Sequence, residues 1–152
     1  MQSATQAVVQ WTEMALSISN GARALALRQC QPQAGKALAQ LVVAPAMGVQ
    51  QSYYQSFASW LAEQGYGVTT FDYRGHGLSL QGPLRGAKAD LLDWAQDCEL
   101  VASHIRQQFP GQALVWIGHS VGSQLPGLAS LPIPNDSLLS VGSGSGYWRD
   151  NA

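Results

Sequence analysis

Short runs typical of buried strands alternate with segments of helical periodicity, and this alternation constrains the fold more than any other feature. The first run, LVVA at 41–44, is continuously apolar; VTTF at 68–71 is rich in β-branched residues, and QALVWIG at 112–118 is again typical of a buried strand. Strands that are apolar on both faces are typical of parallel sheets covered by helices. Strands that alternate with helices in this way favour right-handed crossover connections. The sequence therefore predicts an α/β fold with a mainly parallel sheet flanked by helices.

The ends of the sheet have different signatures. Residues 12–19 and 22–30 alternate in polarity around Asn20–Gly21, which indicates an N-terminal antiparallel hairpin at a sheet edge. A last strand is expected at 136–142, which reads DSLLSVG. It would leave an exposed apolar edge, through which copies of the chain could associate. About six strands are predicted in all.

The first helical segment carries an aromatic stripe. Tyr53, Phe57, Trp60 and Leu61 fall at i, i+4, i+7 and i+8, and Gly65 is placed to end the helix. We expect this stripe to face the core, in preference to forming a ligand box. A second helix is predicted at 88–109.

Composition excludes several function classes. Hydrophobic residues make up 46% of the chain and charged residues 11%, with a net charge of −1. Such a chain has no basic field for nucleic acid, and no apolar run is long enough for a membrane span. Cys30 and Cys98 show no metal-ligand spacing, so we expect free buried thiols in a reducing compartment. The N-terminus lacks signal-peptide features, and the expected location is cytoplasmic. Neither a cofactor nor a metal is predicted.

The third apolar run leads directly into Gly118-His119-Ser120-Val121-Gly122, a G-x-S-x-G pattern. The pattern alone is weak, but a buried strand precedes it and a helix start follows it. This is the context of a nucleophile elbow, where a tight turn presents the serine hydroxyl above the sheet. Glycine is expected at 118 and 122 because a side chain at either position would collide with the strand or the helix of the turn. The alternative is that Ser120 is an ordinary N-cap. Pro126 is expected to end or kink the following helix.

Two further segments add to the interpretation. The first apolar run ends in Pro45-Ala46-Met47-Gly48, where a second backbone N–H donor for an oxyanion is expected. We assign the two donors to Met47 and Val121, supported by Gly118, His119 and Gly122 around the serine. The second run ends in DYRGHGLS at 72–79.

With these three segments in order, the sequence resembles the α/β-hydrolase superfamily in its lipase, esterase and serine-aminopeptidase-like branch. Residues 45–48 stand in the place of the usual HGxG, 72–79 in the place of the DxRGxGxS loop, and 118–122 in the place of the nucleophile elbow. The resemblance implies a serine hydrolase of ester or amide bonds with a small-molecule substrate.

The resemblance also implies an acid and then a histidine after the nucleophile, and no histidine follows Ser120. His119 is expected to have a structural role or to shield the site, and His104 to lie on a helix face. His76 is expected to order its loop, with general base as the lesser alternative. The triad acid and histidine are therefore not identified. Residues 1–152 are expected to be one domain, the N-terminal part of a hydrolase core with about six of eight strands, without the acid and histidine segment or the lid.

Such a chain is expected to be inactive alone. An alternative function is a non-catalytic binding protein or degenerate relative. A nucleotide site in VGSGSGYW at 141–148 is disfavoured, because the glycine spacing is not G-x-G-x-x-G.

Overall fold

The computed structural model describes residues 9–18, 24–33 and 35–151. Across these residues, six strands form one sheet in the order β1-β2-β4-β3-β5-β6. The strands are β1 Trp11–Ser17, β2 Ala24–Cys30, β3 Gln40–Ala44, β4 Gly67–Phe71, β5 Leu114–His119 and β6 Ser137–Val141. The helices are α1 Gln55–Glu63, α2 Leu91–Gln108 and the short α3 Val121–Gln124.

The sheet is antiparallel at its N-terminal edge and parallel elsewhere. β1 pairs with β2, and β2 with β4, in antiparallel register. β4, β3, β5 and β6 follow in parallel, as the apolar runs predicted. The predicted turn at Asn20–Gly21 lies outside the described residues. The fold is therefore an α/β fold with a mixed, mainly parallel sheet and an antiparallel N-terminal strand pair.

Helices cover the two faces of the sheet separately. The cluster that includes Ala102 of α2 packs with Val42, Phe71 and Trp116 on one face. A second cluster places Ala58 of α1 against the other face. Side chains on β3 alternate between the two clusters, which is why its whole run is apolar.

The prediction of which side chains of the first helical segment face the core is wrong for three of the four residues. Tyr53, Phe57 and Trp60 are 74%, 43% and 52% exposed, and only Leu61 is buried. The face that packs on the sheet consists of Tyr54, Ala58, Leu61 and Ala62. Two alanines in this face allow the helix backbone to approach the sheet closely. The helical periodicity correctly indicated an apolar stripe of large residues, but the face that packs on the sheet is the neighbouring one, which contains the two alanines.

α2 begins three residues later than predicted. Asp90 is its N-cap and accepts a hydrogen bond from the Asp93 N–H at 2.9 Å. The Asp93 carboxylate in turn accepts from the Asp90 N–H at 3.1 Å. This reciprocal pair satisfies two backbone donors at the helix start and fixes the boundary.

The region after Ser120 follows the predicted outline. α3 ends after four residues, and a 3-10 turn at Leu125–Leu128 contains Pro126. Proline has no N–H for a helical hydrogen bond. β6 is exposed along its length and forms the far edge of the sheet. Association of copies through that edge stays a prediction.

Candidate active site

Ser120 lies between the end of β5 and the first residue of α3, in a strained backbone conformation. Its φ is 52° and its ψ is −118°, and no other non-glycine residue of the described ranges has a positive φ. Such a conformation costs on the order of 1–3 kcal/mol and persists only where the surroundings enforce it. The Ser120 N–H donates to the Val141 carbonyl at 2.9 Å, and its carbonyl accepts from the Ser123 hydroxyl at 2.7 Å.

Two glycines make this turn possible. A side chain at Gly118 would overlap the backbone of Ser123, and its Cβ would lie 2.6 Å from the Gly122 carbonyl carbon. A Cβ at Gly122 would lie 2.8 Å from the Ala44 carbonyl carbon and 2.9 Å from the Pro45 oxygen. The first turn of α3 therefore packs directly on the backbone where β3 ends.

This packing brings the two predicted backbone donors to one edge of the sheet. β3 and β5 are parallel neighbours with Ala44 opposite Gly118, so Met47 and Val121 follow strands that end together. Val121 is the first residue of α3, where an N–H has no partner within the helix. Among the described residues, neither the Met47 N–H nor the Val121 N–H donates to a protein acceptor. Two N–H groups without a protein acceptor in the described structure thus follow the carboxyl ends of β3 and β5, and one of them belongs to the residue after Ser120.

The loop at 72–79 supports the same edge of the sheet. The buried Asp72 carboxylate accepts from the Gln51 N–H at 2.8 Å, the Gln51 side chain at 3.0 Å and the Leu78 N–H at 3.0 Å. A side chain at Gly77 would collide with that carboxylate. The Ser79 hydroxyl donates to the Asp72 carbonyl at 2.6 Å. Asp72 therefore ties this loop to the segment that follows Met47.

An ion pair that the sequence reasoning missed anchors the loop to α2. Asp97 is fully buried and accepts from the Arg74 N–H at 2.8 Å and from Arg74 Nε at 2.7 Å. Burial raises the pKa of the Asp97 carboxyl, and the hydrogen bonds and charge of Arg74 oppose that rise. A charged residue among the apolar positions of α2 was the signal that could have found it.

The histidines occupy separate surroundings. His119 Nδ1 lies 2.8 Å from the hydroxyl of Tyr54, the residue that immediately precedes α1. The His76 ring packs edge-on against Trp94 with centroids 5.8 Å apart. His104 Nε2 is buried on α2 without a hydrogen-bond partner in the described structure. Within the described ranges, none of these imidazoles hydrogen-bonds to the Ser120 hydroxyl.

Both aspartates that follow Ser120 bind other groups. Asp136 accepts from the Leu114 N–H at 2.7 Å and from Arg106 at 2.9 Å, and these bonds lower the pKa of its carboxyl. The Asp150 carboxylate accepts from the Ser145 hydroxyl. Neither carboxylate contacts a histidine in the part of the chain that the structure describes.

An apolar cavity of about 320 Å³ opens beside His119 on the α1 side of the sheet. Its lining comprises Val43, Tyr53, Tyr54, Phe57, Ile117, His119 and Val141. Three or more histidine, cysteine, aspartate or glutamate side chains nowhere converge in a metal-binding group among the described residues. None of the helices described has both the length and the apolar character needed to cross a bilayer.

Sequence relatives are matched over only part of their length. The chain is 36% identical over 89 residues to the uncharacterized protein YfhR of Escherichia coli K12, which covers 59% of this chain and 30% of the relative. An uncharacterized abhydrolase domain-containing protein of Dictyostelium discoideum is 34% identical over 101 residues, 66% of this chain and 10% of the relative. The chain therefore spans less than a third of the curated relatives it matches.

Solved structures agree with the fold. An α/β serine hydrolase without a lid from Xanthomonas campestris superposes with a TM-score of 0.72 at 20% identity, over 91% of this chain and 64% of the other. A thermostable carboxyl esterase from Bacillus coagulans gives 0.64 at 21% identity, over 76% of this chain and 38% of the other. The model of the family described as serine aminopeptidase, S33, matches residues 35–140, a range that contains all three segments identified from the sequence. On that match and this fold, the chain belongs to the serine aminopeptidase S33 family of the α/β-hydrolase superfamily.

Proposed function

We propose that the chain is a serine hydrolase of ester or amide bonds in which Ser120 is the nucleophile. The observation that carries this proposal is the positive φ of Ser120 at the junction of β5 and α3. Strained backbone that the packing enforces is concentrated at functional sites. The similarity to a carboxyl esterase supports an ester substrate, and membership of a serine aminopeptidase family supports an amide substrate.

In the proposed reaction, the Ser120 oxygen attacks the substrate carbonyl carbon, and the carbonyl oxygen becomes an oxyanion. The N–H groups of Met47 and Val121 donate to that oxyanion. One such donor contributes roughly 3–4 kcal/mol to the transition state in well-studied hydrolases. The elements that supply both donors are fixed by backbone packing at Gly122, so the site does not need to reorganise when charge develops.

The proton of the Ser120 hydroxyl needs a base, because a serine hydroxyl is a weak nucleophile at neutral pH. His119 contacts Tyr54, His76 contacts Trp94, and His104 lies on α2, so none of the three imidazoles is bonded to the Ser120 hydroxyl in the described structure. We therefore expect the isolated chain to turn over substrate slowly or not at all, with the nucleophile and oxyanion donors present and the base missing.

Labelling with a fluorophosphonate, with and without added imidazole, tests this arrangement. We expect slow modification of Ser120 alone and at least tenfold faster modification with imidazole, since a positioned general base contributes about 10²–10⁴-fold. Mass spectrometry of peptides gives the site and rate. Ser120→Ala should abolish labelling, and Ser56→Ala, at an exposed position of α1, should not change it.

Two outcomes would change the interpretation. Modification spread over several serines and unaffected by Ser120→Ala would refute the nucleophile. Rapid modification of Ser120 without imidazole would show that the chain holds its own base. A His76→Ala variant would then test the remaining candidate on the 72–79 loop.

A second candidate function is a non-catalytic binding protein that retains the hydrolase fold. The apolar cavity beside His119, and the absence of a histidine bonded to Ser120 in the described structure, favour it. Saturable binding of a short ester, unchanged by Ser120→Ala, together with no labelling even in imidazole, would support this alternative.

A further inference from the structure

We propose that Tyr54 and Tyr73 clamp one peptide group, Pro45–Ala46, and thereby act as positioning residues for the Met47 N–H. His119 completes the arrangement through Tyr54. This inference deepens the proposed function and rests on it for its catalytic meaning. The clamp itself is a geometric claim that can be tested separately.

The clamp consists of two hydrogen bonds to opposite ends of the same peptide group. The Tyr73 hydroxyl donates to the Pro45 carbonyl at 2.9 Å, and the Ala46 N–H donates to the Tyr54 hydroxyl at 3.0 Å. In a trans peptide the carbonyl and the N–H point in opposite directions, and the described residues contain no cis peptide. Two side chains on opposite sides therefore fix the rotation of this peptide plane.

The tyrosines are suited to this role by their burial. Tyr54 is 7% exposed and Tyr73 is 1% exposed, so water cannot easily replace either hydroxyl. Burial is the main cause that raises the pKa of both phenols, which keeps them protonated. Each ring is also held by packing: Tyr54, the N-cap of α1, lies in the same core cluster as Ala58, and Tyr73 makes an edge contact with Phe71.

The next peptide group carries the proposed oxyanion donor. The Ala46 carbonyl accepts from the Val49 N–H at 3.1 Å and closes a turn in which Gly48 has a φ of 76°. The Met47 N–H shares its peptide group with that carbonyl, so it points away from the turn bond. Once the preceding peptide is clamped and the turn is closed, the direction of the Met47 N–H is determined.

His119 links this clamp to the residue beside the nucleophile. Because the Tyr54 oxygen accepts from the Ala46 N–H, its own proton is available to His119 Nδ1 at 2.8 Å. In the proposed arrangement the Tyr54 hydroxyl donates to Nδ1, and the imidazole carries its proton on Nε2. One phenol thus connects the loop that supplies Met47 to the strand end that supplies Ser120.

Phenylalanine variants remove each hydroxyl and keep each ring. In fluorophosphonate labelling at fixed imidazole, we expect Tyr54→Phe and Tyr73→Phe to lower the maximal inactivation rate constant about tenfold, because a displaced donor weakens only the transition state. The inhibitor's apparent binding constant should change less than about twofold. The matched control is Tyr66→Phe, a half-buried tyrosine packed in the same cluster as Tyr54.

A spectroscopic measurement tests the clamp without any chemistry at Ser120. In ¹⁵N-labelled protein, we expect both clamp variants to shift the Met47 amide resonance, and Tyr54→Phe to remove the exchange protection of the Ala46 amide. Tyr66→Phe should change neither. The role of His119 is tested by the labelling rate. Asparagine places an acceptor near the Nδ1 position, so we expect His119→Asn to keep an inactivation rate constant within about threefold of wild type. His119→Ala should lower that rate constant as much as Tyr54→Phe does.

The outcomes separate this inference from the proposed function. If the clamp variants label at wild-type rates and leave the Met47 resonance unmoved, the clamp is refuted. If no variant, wild type included, is labelled at Ser120, the proposed function fails, and the amide measurements alone decide whether the clamp exists. If Tyr66→Phe lowers the labelling rate constant as much as the two clamp variants do, the effect is general destabilisation, and the positioning role is refuted.

Discussion

Replacing Gly122 with alanine should destabilise the fold through backbone overlap at the end of β3. The new Cβ would lie 2.8 Å from the Ala44 carbonyl carbon and 2.9 Å from the Pro45 oxygen. Neither atom belongs to a flexible side chain. Ala44 is fully buried in β3, and the Pro45 oxygen is held by Tyr73.

The expected size follows from two opposing effects. Overpacking a rigid site costs about 1–3 kcal/mol, and backbone neighbours place this site at the upper end, near ~3 kcal/mol. Alanine in place of a helical glycine returns about 1 kcal/mol. We therefore expect a net loss of about 2 kcal/mol in the free energy of unfolding, which lowers the Tm of a chain of this size by about 4–8 °C.

Urea unfolding followed by tryptophan fluorescence measures this loss, since Trp116 is buried and its Nε1 donates to the Gly122 carbonyl at 2.9 Å. Gly127→Ala is the matched control, because a Cβ there meets no atom within 4 Å and Gly127 has no positive φ. A free energy of unfolding of the Gly122→Ala variant within about 0.5 kcal/mol of wild type would refute the overlap, since surface substitutions without steric conflict fall in that range. The same result would leave the glycine at position 122 without a steric reason.

Two further predictions concern ionisable groups. The Leu114 N–H and Arg106 lower the pKa of the Asp136 carboxyl, so this carboxylate stabilises the fold above its unfolded pKa of about 4 and loses that effect as the pH falls through its folded pKa. The difference in urea midpoint between wild type and Asp136→Asn should therefore be present at pH 6 and vanish toward pH 2; a constant difference would contradict the linkage. Burial raises the pKa of Cys30 to about 12 and that of Cys98 well above its usual value. Iodoacetamide at pH 8 should modify neither thiol in the native chain and both in urea, and native alkylation at the rate of free cysteine would contradict their burial.

The sequence predicted the features that depend on local pattern. Continuous apolar runs predicted the parallel strands because both faces of these strands are covered, and alternation predicted the N-terminal antiparallel pair. Pro126 predicted the early end of α3 because proline lacks an N–H. The match of the family model extends over the same segments that the sequence resemblance used.

Patterns within one element could not decide which side of α1 meets the sheet. Tyr53 and Tyr54 are adjacent in the chain, yet one is exposed and the other is buried. The choice depends on how closely the sheet approaches Ala58, which is a property of packing between elements and not of helical spacing.

The sequence by itself determined that a serine between glycines follows a buried strand, because small residues and apolar runs leave a local record. Only the tertiary structure decided how the surrounding groups meet. Tyr54, Tyr73 and Asp97 come from different elements, and they act on Pro45, Ala46 and Arg74 across separations of 8 to 28 residues along the chain. Hydrogen bonds of this kind depend on angles and distances that exist only after the sheet and helices have packed, and no spacing in the sequence encodes them.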